Sequence, residues 1–242
     1  MIAMDNVEGR PDYGLDAPPV VYGFAGLAVA GALVAVLGVS VSFWPLTALG
    51  VLWLATGALT ATAMVLSSRI GKIRLRDRLL DRERLADDAD VLDLGPGRGL
   101  MLLGAAVRAP HGTATGIDLW RAGDQGGTSR ANCLANAARL GVTGRVTLVD
   151  GDMSDLPFPD ESFDLVTGSL AIHNIADRAA RRRTMEEVQR VLRPGGRLLL
   201  IDFSRTAEYA ADARDAGLAE VRRSGRSFAM YPPARVVTAV KR

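Results

Sequence analysis

The sequence predicts an α/β fold: a mostly parallel sheet with helices on both faces and an antiparallel C-terminal strand, preceded by two transmembrane helices. Three observations lead there. Residues 17–68 contain no charged side chain, short β-type runs alternate with helical runs from residue 89 onward, and the tail changes to two consecutive extended runs.

Taken in order, the leading segment "MIAMDNVEGRPDYGLD" (1–16) is net acidic, unlike the basic start of a secretory signal. The uncharged stretch after it is long enough for two helical spans of about 20 residues each. We place these at 20–42 and 46–67, within a hairpin domain of 17–68, with Pro45 marking the turn between them. Phe43, Trp44 and Trp53 have the amphipathic rings favoured at a bilayer interface. Gly23, Gly26, Ala28, Gly31, Ala32 and Ala35 would let the two helices approach closely, and would equally allow a homo-oligomer through the hairpin. A cleaved signal and a buried helical hairpin of a soluble protein are the competing readings.

The segment 69–88, "RIGKIRLRDRLLDRERLADD", reads as a charged connector helix. Its Arg69, Lys72, Arg74, Arg76 and Arg78 follow the second span, so the positive-inside bias predicts a multi-pass cell-membrane protein with its large C-terminal domain (89–242) and its N-terminus in the cytoplasm. These side chains would also meet anionic head groups.

Within 89–242, "ADVLDLG", "GTATGIDL", "RVTLVDGD", "FDLVTGSL" and "RLLLIDF" are strand-like and alternate with helix-like runs, the signature of a parallel sheet covered on both faces. The tail, with a polar break around Ser224 to Arg226, would finish the sheet with an antiparallel pair. Net charge is only +2, which does not argue for a polyanionic partner. One cysteine, Cys133, rules out an intramolecular disulfide, and with two histidines no zinc-ligand cluster arises, so no metal is expected.

The stretch "VLDLGPGRGL" carries the chemistry. Gly95, Gly97 and Gly99 make a turn at a strand end, where backbone can approach a ligand at a helix N-terminus. Leu100 stands where a dinucleotide fingerprint wants its third glycine, and no Gly-Lys-Ser/Thr follows to make a P-loop. Asp93, two residues before the first glycine, would repel a pyrophosphate but suit a cationic ligand.

With these residues in order, the sequence resembles the class I S-adenosylmethionine-dependent methyltransferases that act on small molecules and lipids. The resemblance covers about residues 89–203 and implies a Rossmann-like, seven-stranded sheet and S-adenosylmethionine as cofactor. "DLGPGRG" is similar to the family's first motif, implying that Asp93 helps hold the amino-acid end of the cofactor over Gly95, Gly97 and Gly99. "TGIDLW" implies that Asp118 binds the ribose hydroxyls, with Leu119 beside it. "DGDMSDLPFPDESFDLV" implies that Asp152 faces the adenine amino group and Met153 packs on the ring, while Ser169, at the end of the fourth strand, joins the cofactor set. "RVLRPGGRLLLIDF" matches a helix, a turn at Pro194–Gly196 and the fifth strand. The insert "RAGDQGGTSRAN" departs from the pattern and leaves the contacts of Trp120 and Asp124 open.

Methyl transfer needs a base only when the acceptor carries a proton. In "GSLAIHNIADR", His173 is the candidate base, worth about 10²–10⁴-fold, and Asn174 would orient the acceptor or His173. The alternative for His173 is a capping or pocket-lining role. The segment lacks the Asn/Asp-Pro-Pro-aromatic turn of enzymes that methylate nucleic-acid bases, and the basic run "RAARRR" has no interleaved aromatics, so it reads as a solvated helix face and no nucleic-acid partner is expected. Three functions compete: a membrane-anchored methyltransferase for a lipophilic acceptor (lipid, quinone or prenyl compound), a methyltransferase for a soluble small molecule with the hairpin as anchor only, and a non-catalytic membrane scaffold.

Overall fold

The computed structural model describes residues 9–120 and 129–242. They fall into two compact units: Gly14–Ile73 with Ala229–Pro232, and a larger unit of the residues up to Tyr13, Arg74–Phe228 and Pro233–Arg242.

The smaller unit is built on α1 (Pro18–Ser40) and α2 (Trp44–Leu66). Both start with Pro in the first turn, where its missing N–H removes no helical bond. Pro45 therefore opens α2 rather than making the turn, which is Val41–Phe43 with Ser42 at φ +51°. The helices are long and apolar enough to cross a membrane, and only 11% and 17% of their most apolar windows are buried. A core helix of a soluble domain would be mostly buried.

Close approach fixes the hairpin. A Cβ added at Gly31 would lie 2.3 Å from the Leu54 nitrogen, and one at Gly50 would lie 2.2 Å from the Ala35 nitrogen. Gly23 and Gly26 have nothing within 4 Å, so they take no part in the contact, whereas Gly38 and Gly57 do. After α2 a π-helical turn, Ser67–Gly71, leads into α3 (Lys72–Glu83), which ends five residues short of the expected connector. Lys72 is 3% exposed and does not face head groups. Its ammonium donates to the Asp16 carboxylate at 2.8 Å and to the Gly14 carbonyl at 3.1 Å.

The larger unit holds a seven-stranded sheet in the order β3-β2-β1-β4-β5-β7-β6. Its strands are β1 (Val91–Leu94), β2 (Ala114–Asp118), β3 (Val146–Asp150), β4 (Phe163–Ser169), β5 (Leu192–Asp202), β6 (Ala219–Arg223) and β7 (Arg235–Val240). Only β7 runs against its neighbours, pairing antiparallel with β5 and β6. The helices are α4 (Leu100–Arg108), α5 (Ser129–Arg139), α6 (Arg178–Val191) and α7 (Thr206–Asp215). Pro194–Gly196 do not end an element. They sit inside β5 as an excursion between the Phe163–Leu192 and Leu165–Arg197 pairs, with Gly195 at φ +81°. Leu92, Val166, Met185, Leu198 and Tyr209 are fully or almost fully buried in the core beneath.

Two charged or polar sites depart from their solvated appearance. Residues 9–13 are not a separate tail: the Asp12 N–H donates to Asn136 Oδ1 at 2.9 Å, Asn136 Nδ2 donates back to the Asp12 carbonyl, and Tyr13 lies under the Arg76 guanidinium at 5.2 Å. In "RAARRR", Arg181 is 2% exposed rather than solvated. Cys133 is fully buried, and burial pushes its thiol up to about 12.

Candidate functional site

Strand order reverses between β1 and β4, and at their carboxyl ends the sheet opens a crevice. A cavity of about 340 Å³ lies there.

Its floor is the glycine turn. Gly95, Gly97 and Gly99 take φ of +66°, +53° and +87°, values that a side chain rarely tolerates. A Cβ at Gly95 would lie 2.5 Å from the Ala171 Cβ, so the absent side chain is what leaves the cradle open. Gly95 and Gly97 line the cavity, while Gly99 instead caps α4, packed toward Leu103 and Cys133.

The acidic residues divide into two roles. Asp118, at the end of β2, and Asp152, in the loop after β3, both line the cavity. Asp118 Oδ1 accepts the Trp120 N–H at 3.0 Å, and Asp152 Oδ1 accepts both the N–H and the hydroxyl of Ser154 at 2.8 Å, which orients each carboxylate. Leu119, Met153 and Ser169 are also in the lining, and Met153 Cε is 3.7 Å from the position of a Gly95 Cβ.

Asp93 is not brought to the cavity. It is 1% exposed, with Oδ2 accepting the Leu102 N–H at 2.9 Å and Oδ1 accepting the Thr167 hydroxyl at 2.8 Å. It thus pins β1 to β4 and to the first turn of α4, holding the glycine turn from behind. Burial pushes its carboxyl up to about 7, against the lowering effect of those two hydrogen bonds and with a further rise from Asp118.

The other wall comes from the segment after β4. Leu170, Ala171, Asn174, Ile175 and Ala176 line the cavity, and Asp177 caps α6 by accepting the N–H groups of Ala179 and Ala180. Those backbone donors hold the Asp177 carboxyl below its usual range. This wall is held by Arg181, whose guanidinium donates to the Ile175 and Ala176 carbonyls at 2.7 and 2.8 Å and pairs with Glu208 on α7. Nothing in the sequence marks Arg181 among its neighbours, since Glu208 is 27 residues away.

His173 is in the same 3₁₀ turn as Asn174 but does not line the cavity. Its Nδ1 lies 3.1 Å from Asp202 Oδ2, and its ring packs against Phe203 at 4.7 Å, tilted by 57°. The Tyr209 hydroxyl donates to the same Asp202 oxygen at 3.2 Å, and the Ser204 N–H donates to the other at 3.1 Å. Burial, then the Asp202 charge, pushes the Tyr209 phenol far above its ordinary value, so it stays a donor. Asp202 is therefore a positioned acceptor that sequence reading missed. Asp124, in the insert after β2, lies outside the described residues.

Residues 92–200 match the family described as "Methyltransferase domain". The chain is similar to the ubiquinone/menaquinone biosynthesis C-methyltransferase UbiE of Geotalea daltonii, 32% identical over 122 residues that are 50% of this chain and 48% of that protein. It is also similar to the demethylmenaquinone methyltransferase of Symbiobacterium thermophilum, 38% identical over 48% of this chain and 43% of that one. The chain thus covers about half or less of these relatives' length. Among solved structures, a SAM-dependent methyltransferase from Aquifex aeolicus superposes with a TM-score of 0.54 at 20% identity, covering 68% of this chain and 88% of the other.

Proposed function

We propose that this chain, which carries a class I S-adenosylmethionine-dependent methyltransferase domain, is a membrane-anchored enzyme that methylates a small lipophilic acceptor of the quinone type. The observation that carries the reading is the composition of the crevice at the carboxyl ends of β1 and β4. Glycine backbone and two oriented carboxylates form one side, and an apolar wall of Leu170, Ala171, Ile175 and Ala176 forms the other.

The residues present fit the cofactor. The open cradle at Gly95 admits a ligand against backbone, the Asp118 carboxylate can accept both protons of a ribose diol, and Asp152 can accept from an exocyclic amine beside Met153. When bound, S-adenosylmethionine supplies a methyl group on a sulfonium centre. The chain's own work is to orient the acceptor in line with that group and to keep water out, which the apolar wall does. Arg181 holds that wall in place through its two backbone carbonyls.

Where the acceptor carries a proton, His173 is the candidate to take it, from the turn beside the cavity rather than from its lining. With Nδ1–H donated to Asp202, the lone pair is left on Nε2, which has no partner among the described residues, and 20% of the side chain is exposed. Asn174, lining the cavity, orients the acceptor.

Two features support the anchor. The lipid-like exposure of α1 and α2 is one. The other is that residues 9–13, before α1, pack with Asn136, Arg98 and Arg76, which follow α2. Both ends of the hairpin therefore lie on one side, as two passes require. The names of the relatives support a quinone-type acceptor.

The test is to incubate the purified full chain with methyl-labelled cofactor and either a total membrane extract or demethylmenaquinone, then partition the products. Label should enter the organic phase. Label confined to the aqueous phase would sink the lipophilic reading.

A further inference from the structure

The β6–β7 connection holds a charge and an aromatic ring that the crevice does not use. Arg222, Arg223, Arg226 and Arg235 lie within 14 residues of one another along the chain, with Glu220 as the nearby acid. The Arg222–Glu220 pair is loose, at 3.9 Å between largely exposed side chains. Arg223 donates to the neutral Thr206 hydroxyl, Arg235 donates to the Ser224 carbonyl, and Arg226 has no partner among the described residues. Partial desolvation, then repulsion from Arg223 and Arg226, holds Arg235 below its usual range. Beside them Phe228 is 81% exposed, although its neighbours Met230 and Ala234 are buried.

The next residues of the chain, Ala229–Pro232, belong to the helical unit. There the Tyr231 N–H donates to Ser67 Oγ at 2.7 Å, and Gly71 backs so closely on Ala229 that a Cβ would sit 1.7 Å from its carbonyl oxygen. Ser67–Gly71 is where the uncharged helix gives way to basic residues. The loop is thus fastened at the level where a bilayer would meet water, and Phe228 is one peptide bond away.

We infer that the β6–β7 connection is a membrane-contacting element, seating Phe228 in the cytoplasmic leaflet and binding anionic phospholipid head groups through Arg222, Arg223 and Arg226. The inference rests on reading α1 and α2 as membrane spans. It is independent of which acceptor is methylated. Arginines close to an anionic leaflet are attracted over about a Debye length, and an aromatic ring is favoured at head-group depth.

The test uses the full chain in nanodiscs of phosphatidylcholine alone or with phosphatidylglycerol. Chymotrypsin should cut after the exposed Phe228 at least about fivefold more slowly with phosphatidylglycerol, and Arg222→Glu/Arg223→Glu/Arg226→Glu, which leaves that site intact, should lose the protection. In a Phe228→Cys variant carrying an environment-sensitive fluorophore, emission should be quenched by doxyl lipids and shielded from iodide. Buried Cys133 stays unlabelled, which the unsubstituted chain controls. Binding of S-adenosylhomocysteine verifies that each variant is folded. Equal cleavage in both nanodiscs with iodide-accessible fluorophore overturns the inference, as does equal protection by RNA or heparin without lipid. Release of the intact protein from membranes by alkaline carbonate would instead overturn the span reading.

Discussion

Asp93→Asn should remove a pH-dependent instability of the larger unit. Buried Asp93 binds its proton more tightly when folded, with a value of about 7 against an ordinary 3.8. Stability from this group is therefore fully present below pH 3.8 and is lost as pH rises toward 7, beyond which the loss levels off. At 1.36 kcal/mol per pH unit, the whole loss is about 4 kcal/mol, of which about 3 kcal/mol falls between pH 5 and pH 8. Asparagine does not titrate and can keep the local bonds. Its oxygen can accept the Leu102 N–H, and its amide can donate to Thr167 Oγ1, whose hydrogen can turn to the Leu92 carbonyl at 3.4 Å. The assay is urea unfolding of the full chain in detergent from pH 5 to 8, followed by near-ultraviolet circular dichroism. The variant should gain on the wild type as pH rises from 5 to about 7 and then hold level. A difference constant to within about 0.5 kcal/mol across that range would refute the reasoning.

Three further outcomes can be measured. Gly95→Ala forces a side chain at φ +66°, about 1–2 kcal/mol of strain, and against Ala171 at 2.5 Å, so calorimetry should show S-adenosylhomocysteine binding weakened by about tenfold or more. Asp202→Asn should lower methyl transfer to a proton-bearing acceptor by about 10²-fold with S-adenosylhomocysteine affinity unchanged, and should not add to His173→Gln. Lys72→Met leaves Asp16 half-buried without its ammonium partner, costing about 3 kcal/mol in thermal unfolding, and Asp16→Asn in addition should recover part of it.

The alternation of strands and helices, the uncharged hairpin and the turn at Gly95 were legible because each is a local pattern with a fixed period. What was not legible depends on partners distant in sequence. A carboxylate two residues before a glycine turn looks like a ligand contact, but whether Asp93 meets the cavity or Thr167 and Leu102 is set by how β4 and α4 pack. Charge alone made Lys72 and Arg181 look solvated. Each is buried because a distant acid and backbone carbonyls replace its water. For the helix pair, small residues were visible, but the face used depends on the rotation of α1 about its own axis, which puts Gly31 and Gly38 rather than Gly23 and Gly26 against α2. Pro194–Gly196 looked like a turn because their backbone is irregular, yet pairing on either side keeps them inside β5.

Asp12 precedes the hairpin in the chain and finds its partner, Asn136, 124 residues later. If α1 and α2 span a bilayer, as proposed above, only chains whose hairpin has inserted with both ends on one side can close this clasp. A chain inserted the wrong way would leave the Asn136 amide, 1% exposed in the closed state, short of its Asp12 bonds, at about 1–3 kcal/mol for each unsatisfied group. Completion of the domain then reads out the topology of the hairpin, so that misinserted molecules are the less stable ones and the first to be open to proteolysis.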